Sequence, residues 1–230
     1  MITVSKEDYL KAIFEAEDQG EAVISATLAA WLKVSPPAVT MALRRLKRDG
    51  LVVVRRNRRV VLTCEGRRIA ERLATRHYLI ERMLTEVFGM PWYHTHDEAE
   101  KLEHAVSSEF EALLAKKLGK DRPCPHGNLA TGNSPALKRK LGLRPLSEVA
   151  LGNPSTVISI DERDSDLGGL LEKRGIRPGS KLLLRERNHD QTLSLETADG
   201  VVILGGTAAE RIWVSSAAVR TSTRKQVNRS

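Results

Sequence analysis

Residues 77–104, HYLIERMLTEVFGMPWYHTHDEAEKLEH, decide the fold because they place rows of polar side chains beside apolar stripes. His77 and Glu81 are four residues apart, so they share one helix face. Gly89 and Pro91 interrupt the helical pattern. A second polar row follows within about a third of a turn, formed by His96, Glu100, Glu103 and His104.

These two polar rows favour a divalent-metal site. A single histidine or glutamate at helical spacing is usually part of a solvated face. Three histidines and three carboxylates at matching helical phase indicate a ligand set instead. The pattern predicts two helices, Glu65–Phe88 and Glu98–Leu118, whose apolar stripes form an antiparallel pair that can dimerise.

The charge of the chain favours a polyanionic partner. Lys and Arg outnumber Asp and Glu by 37 to 29, a net charge of +8, which is typical of nucleic-acid-binding proteins. Aromatic residues make up only 4%, which argues against a stacking platform for single strands. Two cysteines cannot form a disulfide framework. With no signal peptide or long apolar run, we expect a soluble cytoplasmic protein that does not use a membrane.

Residues 23–63 have the pattern of a winged helix-turn-helix. Two short helices are predicted at 23–33 and after Pro36-Pro37, with Ser25 and Ser35 as N-caps and Gly50 as the stop signal. Two β-branched runs then flank Arg55-Arg56-Asn57-Arg58-Arg59, which predicts a hairpin with a basic tip. A basic hairpin directly after a helix-turn-helix is typical of a wing.

The second helix is expected to enter the major groove, while the wing reaches phosphates or the minor groove. The candidate DNA-binding residues are Ser35, Pro37, Ala38, Thr40, Met41, Arg44, Arg45, Arg55, Arg56, Arg58 and Arg59.

Asp8 has two interpretations at this point. It lies on the first turn of a helix predicted over residues 4–18, with Ser5 as N-cap, where a carboxylate complements the helix dipole. It could equally bind a metal ion.

Beyond Leu118 the sequence changes character. The Cys124-Pro125-His126 segment supplies too few ligands for a metal site alone, so we predict a fixed turn. Residues after 155 form short strand patterns with an Asp199-Gly200 hairpin signal and one helix at 165–175, which favours a small β-barrel. The predicted boundaries are 1–64 winged helix, 65–130 helical metal-binding and dimerisation domain, 131–154 linker, 155–220 β-domain and 221–230 disordered tail.

The chain resembles the diphtheria-toxin-repressor and manganese-transport-regulator family of metal-dependent repressors. The resemblance lies in the blocks EDYLKAIF, VSPPAVTMALRRLKRDGLV, RHYLIERML, HDEAEKLEHAVSSEFE and CPHGN, in that order along nearly the whole chain. It implies a mainly α protein with a small all-β domain: an N-terminal winged helix, a helical metal-binding and dimerisation domain, and a C-terminal SH3-like (FeoA-like) β-barrel.

The resemblance also implies how the ligands divide. The activating site would be Asp8, Glu100, Glu103 and His104. The ancillary site would be His77, Glu81 and His96, completed from the SH3-like domain, where Asp164 and Asp166 are the local candidates. Iron-type members have Met and Cys where this chain has Asp8 and Glu100. Short manganese-type members have an acid where this chain has Lys11, which argues against a two-metal site of their kind.

Function follows as an expectation. Hard oxygen and imidazole ligands favour Mn(II), with Fe(II) as the second candidate and other divalent ions binding in vitro. The metal-bound homodimer, as one or two dimers per operator, would bind palindromic double-stranded DNA and repress metal-uptake genes. We expect no enzyme activity and no small-molecule substrate. The alternatives are a metal-independent winged-helix transcription factor and a metallohydrolase.

Overall fold

The computed structural model describes residues 6–216, which fall into two compact units. The first unit contains the described residues up to Ile80, together with Leu102–Arg122 and Leu129–Leu137. The second contains Glu81–Lys101, Pro123–Asn128 and the described residues from Lys138 onward.

The secondary structure alternates between helical and strand-rich regions. The described helices are α1 (Lys6–Asp18), α2 (Ser25–Leu32), α3 (Pro36–Arg48), α4 (Cys64–Glu86), α5 (Thr95–Leu102), α6 (Ser108–Leu118), α7 (Pro135–Lys140), α8 (Ser165–Glu172) and α9 (Gly206–Glu210). The strands are β1 (Val52–Val54), β2 (Val60–Leu62), β3 (Leu143–Pro145), β4 (Pro154–Ile160), β5 (Lys181–Arg187), β6 (Leu193–Thr197), β7 (Gly200–Leu204) and β8 (Ile212–Ser216). Short 3-10 helices occur at Trp92–His94 and Leu146–Glu148.

The winged helix-turn-helix is confirmed. Helices α1, α2 and α3 pack with the β1–β2 hairpin around a core that includes Ile13, Leu28 and Leu46, each fully buried. Gly50 ends α3 with a positive φ of 71°. Its amide donates to Lys47 O, as expected at a helix C-terminus.

Of the two predicted N-caps, Ser35 is confirmed in position, whereas the N-cap of α2 lies one residue earlier than predicted. Ile24 occupies the N-cap position of α2, and Ser25 is already helical. Ser35 is the N-cap of α3, but its side chain accepts no capping hydrogen bond. Pro36 and Pro37 follow it, and proline has no backbone N–H to donate at these first positions. The predicted cap Ser5 lies outside the described residues.

The wing is a two-stranded antiparallel hairpin, as predicted. Val52 pairs with Leu62 and Val54 with Val60, so the arginines lie in the connecting tip. The tip closes through a hydrogen bond from Arg55 N to Arg59 O (2.8 Å).

The single helix predicted over Glu98–Leu118 is wrong. Helix α5 ends at Leu102, and α6 begins at Ser108 with Ser107 as N-cap. The Ser107 hydroxyl accepts a hydrogen bond from Phe110 N (3.2 Å), which starts a new helix within a continuous polar and apolar pattern. Glu103 and His104 therefore lie in the turn between two helices, not on a helix face.

The C-terminal region is an antiparallel six-stranded sheet in the order β3-β8-β4-β5-β6-β7. Its core includes the fully buried side chains of Ile160, Leu171 and Leu184. The described pairings leave β3 and β7 at the ends of this order, so a closed barrel is not among them. The helix predicted at 165–175 is confirmed as α8.

The segment 131–154, predicted as a linker, is structured. It contains α7, the 3-10 turn at Leu146–Glu148, and strand β3, which pairs with β8 through Leu143 and Ser215. The sheet therefore begins before Ser155. The sequence did not predict β3, because a three-residue strand is too short to show a period-two pattern. The predicted disordered tail, 221–230, lies outside the described residues.

In the described range 6–216, none of the helices has an apolar run long enough to cross a bilayer.

Candidate metal centres

Asp8, Glu103 and His104 converge in the first unit, and we call them site A. Helix α1 presents Asp8 on its first turn, and the turn after α5 presents the other two side chains. Asp8 Oδ1 lies 2.6 Å from His104 Nε2, and Glu103 Oε1 lies 3.7 Å from the same nitrogen. Two carboxylates and an imidazole form a donor set that suits a divalent cation.

His104 is oriented by a second carboxylate. Its Nδ1 lies 2.9 Å from Glu7 Oε2, while its Nε2 faces Asp8. Partial burial alone would lower the pKa of His104, but the hydrogen bond to Glu7 and the charges of Asp8 and Glu103 outweigh it and raise that pKa. A neutral His104 bonded to Glu7 through Nδ1–H directs the Nε2 lone pair toward the other ligands.

Behind site A, Glu103 is held by a buried cation. Lys11 Nζ donates to both carboxylate oxygens of Glu103, at 3.0 and 2.8 Å. His77 Nδ1 lies 2.5 Å from Glu103 Oε2 and 3.0 Å from Lys11 Nζ. Burial raises the pKa of Glu103, but the hydrogen bond from His77 and the charge of Lys11 outweigh it, so the net pKa is lowered. Glu103 is therefore ionised and fixed in orientation.

Glu81, Cys124, His126 and Glu162 form a second cluster, which we call site B, entirely within the second unit. One potential ligand atom from each residue lies within 4.8 Å of the others. His126 Nδ1 is 3.4 Å from Glu81 Oε1 and 3.9 Å from Cys124 Sγ, and Sγ is 3.6 Å from Glu162 Oε2. Glu81, Cys124 and His126 are buried. Two carboxylates, an imidazole and a thiol in a buried space suit a divalent metal ion that tolerates sulfur.

A tight turn brings Cys124 and His126 to the same point. Gly127 N donates to Cys124 O, and Cys124 N donates to Asn128 O, both at 2.8 Å. Gly127 has a φ of 84°, and a Cβ at this position would collide with the carbonyl oxygen of Ile158. The turn therefore lies directly against β4, and only glycine permits this approach.

The thiol of Cys124 is protonated in the metal-free protein. Burial, and then the charges of Glu81 and Glu162, raise the pKa of Cys124 well above its usual value. Metal binding at site B must therefore displace this proton.

His96 lies next to Glu81 in the second unit, and Glu100 lies next to His96. His96 Nδ1 is 3.5 Å from Glu81 Oε1, and His96 Nε2 is 3.7 Å from Glu100 Oε1. His77, the third residue assigned to the ancillary site, interacts with Lys11 and Glu103 in the first unit. The assignment of Glu100 to the activating site stays a prediction.

Asp164 and Asp166 are not part of either cluster of described residues. Asp164 is the N-cap of α8, where its Oδ1 accepts from Leu167 N (2.9 Å), and its Oδ2 pairs with Arg211 (2.5 Å). Asp166 is exposed on the first turn of α8. The carboxylate that reaches the metal-ligand cluster is Glu162, in the connection just after β4.

Sequence reasoning did not identify Cys124, His126 and Glu162 as candidate ligands. The predicted fixed turn at Cys124–His126 is confirmed. Its two donors are too few for a metal site alone, but Glu81 and Glu162 lie beside them and bring the number of possible ligands to four. The available signal was the spacing of the cysteine and the histidine two residues apart, beside a glycine that permits a close approach.

The candidate DNA-binding residues share one property, which is that all of them are exposed. This holds for Ser35, Pro37, Ala38, Thr40, Met41, Arg44, Arg45, Arg55, Arg56, Arg58 and Arg59. The buried face of α3 consists of Val39, Leu43 and Leu46, so its opposite face is available to a ligand.

Three family models match the chain in succession. The model "Iron dependent repressor, N-terminal DNA binding domain" matches residues 1–60. The model "Iron dependent repressor, metal binding and dimerisation domain" matches residues 63–131. The model "FeoA domain" matches residues 144–216.

Individual relatives agree with these models. The chain is 34% identical over 187 residues to the iron-dependent repressor IdeR of Mycobacterium leprae, covering 76% of this chain and 81% of that protein. It is 34% identical over 199 residues to the diphtheria toxin repressor of Corynebacterium diphtheriae, covering 82% and 87%.

Solved structures agree as well. A manganese-dependent transcriptional repressor in complex with manganese superposes with a TM-score of 0.79 at 33% identity, covering 92% of this chain and 100% of that one. The repressor ScaR with bound Zn²⁺ gives a TM-score of 0.73 at 28% identity, covering 92% and 99%. The chain therefore belongs to the diphtheria-toxin-repressor and manganese-transport-regulator family of metal-dependent transcriptional repressors.

Proposed function

We propose that this protein is a manganese-responsive repressor that acts in the cytoplasm, and that its metal-bound dimer binds palindromic operators of metal-uptake genes. The observation that supports this most directly is the convergence of Asp8 with Glu103 and His104. Asp8 belongs to the first helix of the DNA-binding domain, whereas Glu103 and His104 belong to the metal-binding and dimerisation domain. A metal ion at site A, with Glu100 as a further ligand, would fix the position of α3 relative to the dimer. Helix α3 is the reading helix, which we expect to enter the major groove.

The expected coupling is thermodynamic. A bound ion would supply positive charge, which the carboxylates of Asp8 and Glu103 would neutralise, while the neutral imidazole of His104 would provide a nitrogen ligand. It favours the DNA-competent arrangement by its differential affinity for that arrangement, and DNA in turn tightens metal binding by the same factor. Half-sites about one helical turn apart would match the two reading helices of a dimer.

The two sites differ in chemistry, and this supports an assignment of metals. Site A offers only oxygen and imidazole donors, which favour Mn(II) by ligand softness. Site B includes the Cys124 sulfur, so it accepts softer divalent ions such as Fe(II) or Zn(II). The repressor in a similar solved structure is named as manganese-dependent, and the mycobacterial relative is named as iron-dependent.

We further propose that the ancillary site consists of the site B residues, with His96 beside Glu81. The argument is that Glu81, Cys124, His126 and Glu162 each offer a ligand atom within 4.8 Å of the others, with His96 Nδ1 3.5 Å from Glu81 Oε1. The Lys11 ammonium already bonds both oxygens of Glu103, so a second ion bound by Glu103 next to site A is not expected.

The test is metal-dependent DNA binding by the intact protein. A duplex selected from a random pool by the manganese-loaded protein is titrated by fluorescence anisotropy, with Mn(II) and with a chelator. We expect tight binding with Mn(II) that the chelator abolishes. Equal affinity in both conditions would contradict the proposal and support a metal-independent winged-helix regulator.

The wing arginines should contribute through phosphate contacts. Replacing Arg55, Arg56, Arg58 and Arg59 with glutamine should weaken DNA binding and reduce its salt dependence. Each lost phosphate contact lowers the slope of log affinity against log salt by about 0.9. Arg185→Gln is the matched control, because Arg185 is an exposed arginine of the C-terminal sheet paired with Glu196. An unchanged salt slope in the wing variant would show that the wing does not contact phosphates.

Metal activation should weaken as the pH falls. The pKa of His104 is raised above its ordinary 6.5. As the pH falls, the imidazole therefore begins to take up a proton while the pH is still above 6.5, and the protonated ring cannot bind metal. Below this point Mn(II) affinity should fall by up to about tenfold per pH unit for the one proton taken up. The Glu7→Gln variant removes the carboxylate that favours the imidazolium, so its affinity loss should begin at a lower pH. Titration calorimetry at several pH values measures the Mn(II) affinity of wild type and of Glu7→Gln. An identical dependence of affinity on pH in the two proteins would contradict the role given to Glu7.

A further inference from the structure

Lys138 is a buried lysine outside both clusters, only 8% exposed. Its Nζ donates to Asn128 Oδ1 (3.1 Å) and to Ser159 Oγ (3.0 Å), and it lies 5.3 Å from the centre of the Trp213 ring. A buried ammonium is costly unless it is hydrogen-bonded, so these contacts hold it in one place. Lys138 therefore presents a fixed donor to Asn128.

This fixed donor sets the orientation of the Asn128 amide. An ammonium group has donors only, so the amide oxygen of Asn128 must face it. The amide nitrogen then faces the opposite side, where it donates to Ile160 O (3.1 Å) and to Glu162 Oε2 (2.8 Å). Both hydrogens of the Asn128 amide are used, and a flipped amide would place an oxygen against the Glu162 carboxylate.

Glu162 is the site B ligand that most needs such support. It follows β4 in an irregular connection, whereas Glu81 lies on α4 and the other two ligands lie in the tight turn. Its Oε2 receives the Asn128 amide and lies 3.6 Å from Cys124 Sγ. The Asn128 bond restrains the rotation of the Glu162 carboxylate.

We propose that Asn128 and Lys138 are positioning residues of site B, which hold the Glu162 carboxylate ready for a divalent ion. This inference rests on the proposed assignment of site B as a metal site. Loss of a group that hydrogen-bonds to a metal ligand commonly lowers metal affinity by about 10–100-fold.

The Lys138→Met variant separates positioning from simple electrostatics. Removing a nearby positive charge should by charge alone tighten cation binding. If Lys138 acts by orienting Asn128, its loss frees the amide to rotate, and affinity should instead fall by about tenfold. Methionine retains a long side chain against Trp213, so the packing changes little.

The experiment is a competitive titration of the intact chain with Co(II), in wild type and in Lys138→Met, Asn128→Ala, Cys64→Ala and Cys124→Ala. Co(II) bound through a thiolate gives a sulfur-to-metal absorption band that reports site B alone. We expect Asn128→Ala to weaken Co(II) binding by about 10–100-fold and to alter this band. Cys64→Ala should leave both unchanged, because Cys64 is an exposed thiol that is not part of site B.

The outcomes are distinguishable. Thermal unfolding in the presence of a chelator identifies a variant that fails only by losing stability. If Cys124→Ala removes the band while Lys138→Met and Asn128→Ala match wild type in affinity and spectrum, the positioning role is wrong and site B stands. If wild type shows no thiolate band, site B and the positioning role both fail.

Discussion

Replacing Asp8 with alanine should abolish metal-stimulated DNA binding and leave the fold intact. Asp8 is the one site A ligand on α1, so without it an ion is held only by residues that follow α5. Loss of a residue that merely supports a ligand costs 10–100-fold in affinity, so loss of a ligand should cost on the order of 100-fold or more. The stability cost is smaller, about 0.3–1 kcal/mol for a carboxylate at a helix N-terminus. Anisotropy titrations on the selected duplex at fixed free Mn(II) measure the effect.

Glu65→Ala is the matched control for this variant. Glu65 is also an acidic residue on the first turn of a helix, but it is exposed and pairs with Arg68. Its replacement should leave the Mn(II) response unchanged. An Asp8→Ala protein that responds to Mn(II) like wild type would show that site A is not the activating site.

Replacing Cys124 with alanine should remove one metal equivalent from each chain and leave the other in place. Cys124 is buried at the centre of site B, within reach of both His126 and Glu162. Without the thiol, the remaining donors are two carboxylates and an imidazole, and a softer ion loses its preferred ligand. Alanine occupies less volume than cysteine, so the site retains space and the main loss is the sulfur donor.

Metal content after dialysis, measured by plasma emission spectroscopy, checks this expectation. Wild type should retain two equivalents of Co(II) and Cys124→Ala one. Cys64→Ala is the control, because Cys64 is exposed at the start of α4. Equal metal content in wild type and Cys124→Ala would contradict the assignment of site B.

Local signals predicted the DNA-binding domain well. Gly50 and the two prolines before α3 mark the ends of a helix, and the β-branched runs on either side of the arginines mark a hairpin. Each signal depends on residues within a few positions of one another. The resulting fold needs only these elements and the apolar stripes that pack them.

The pattern after Glu98 predicts one helix where the structure has two, because apolar periodicity alone does not show where a second helix begins. The apolar stripe continues in phase, but the Ser107 hydroxyl caps a new helix and leaves Glu103 and His104 in a turn. Their proximity to Asp8 depends on tertiary packing across 95 or more positions, which spacing cannot supply.

Sequence alone also does not show which nearby carboxylate joins site B. Glu162, Asp164 and Asp166 lie within five residues, and sequence alone gives them similar status. The end of β4 at Ile160 places Glu162 near the Cys124 turn, and the N-cap of α8 uses Asp164. The register of a strand and the start of a helix therefore select the ligand.

Anomalous X-ray scattering at the manganese edge, from crystals of the Mn(II)-loaded protein bound to its selected duplex, tests the central claim most directly. The account predicts a manganese peak bounded by Asp8, Glu103 and His104, with Glu100 completing the coordination. A DNA complex in which these side chains point apart and hold no manganese would contradict it.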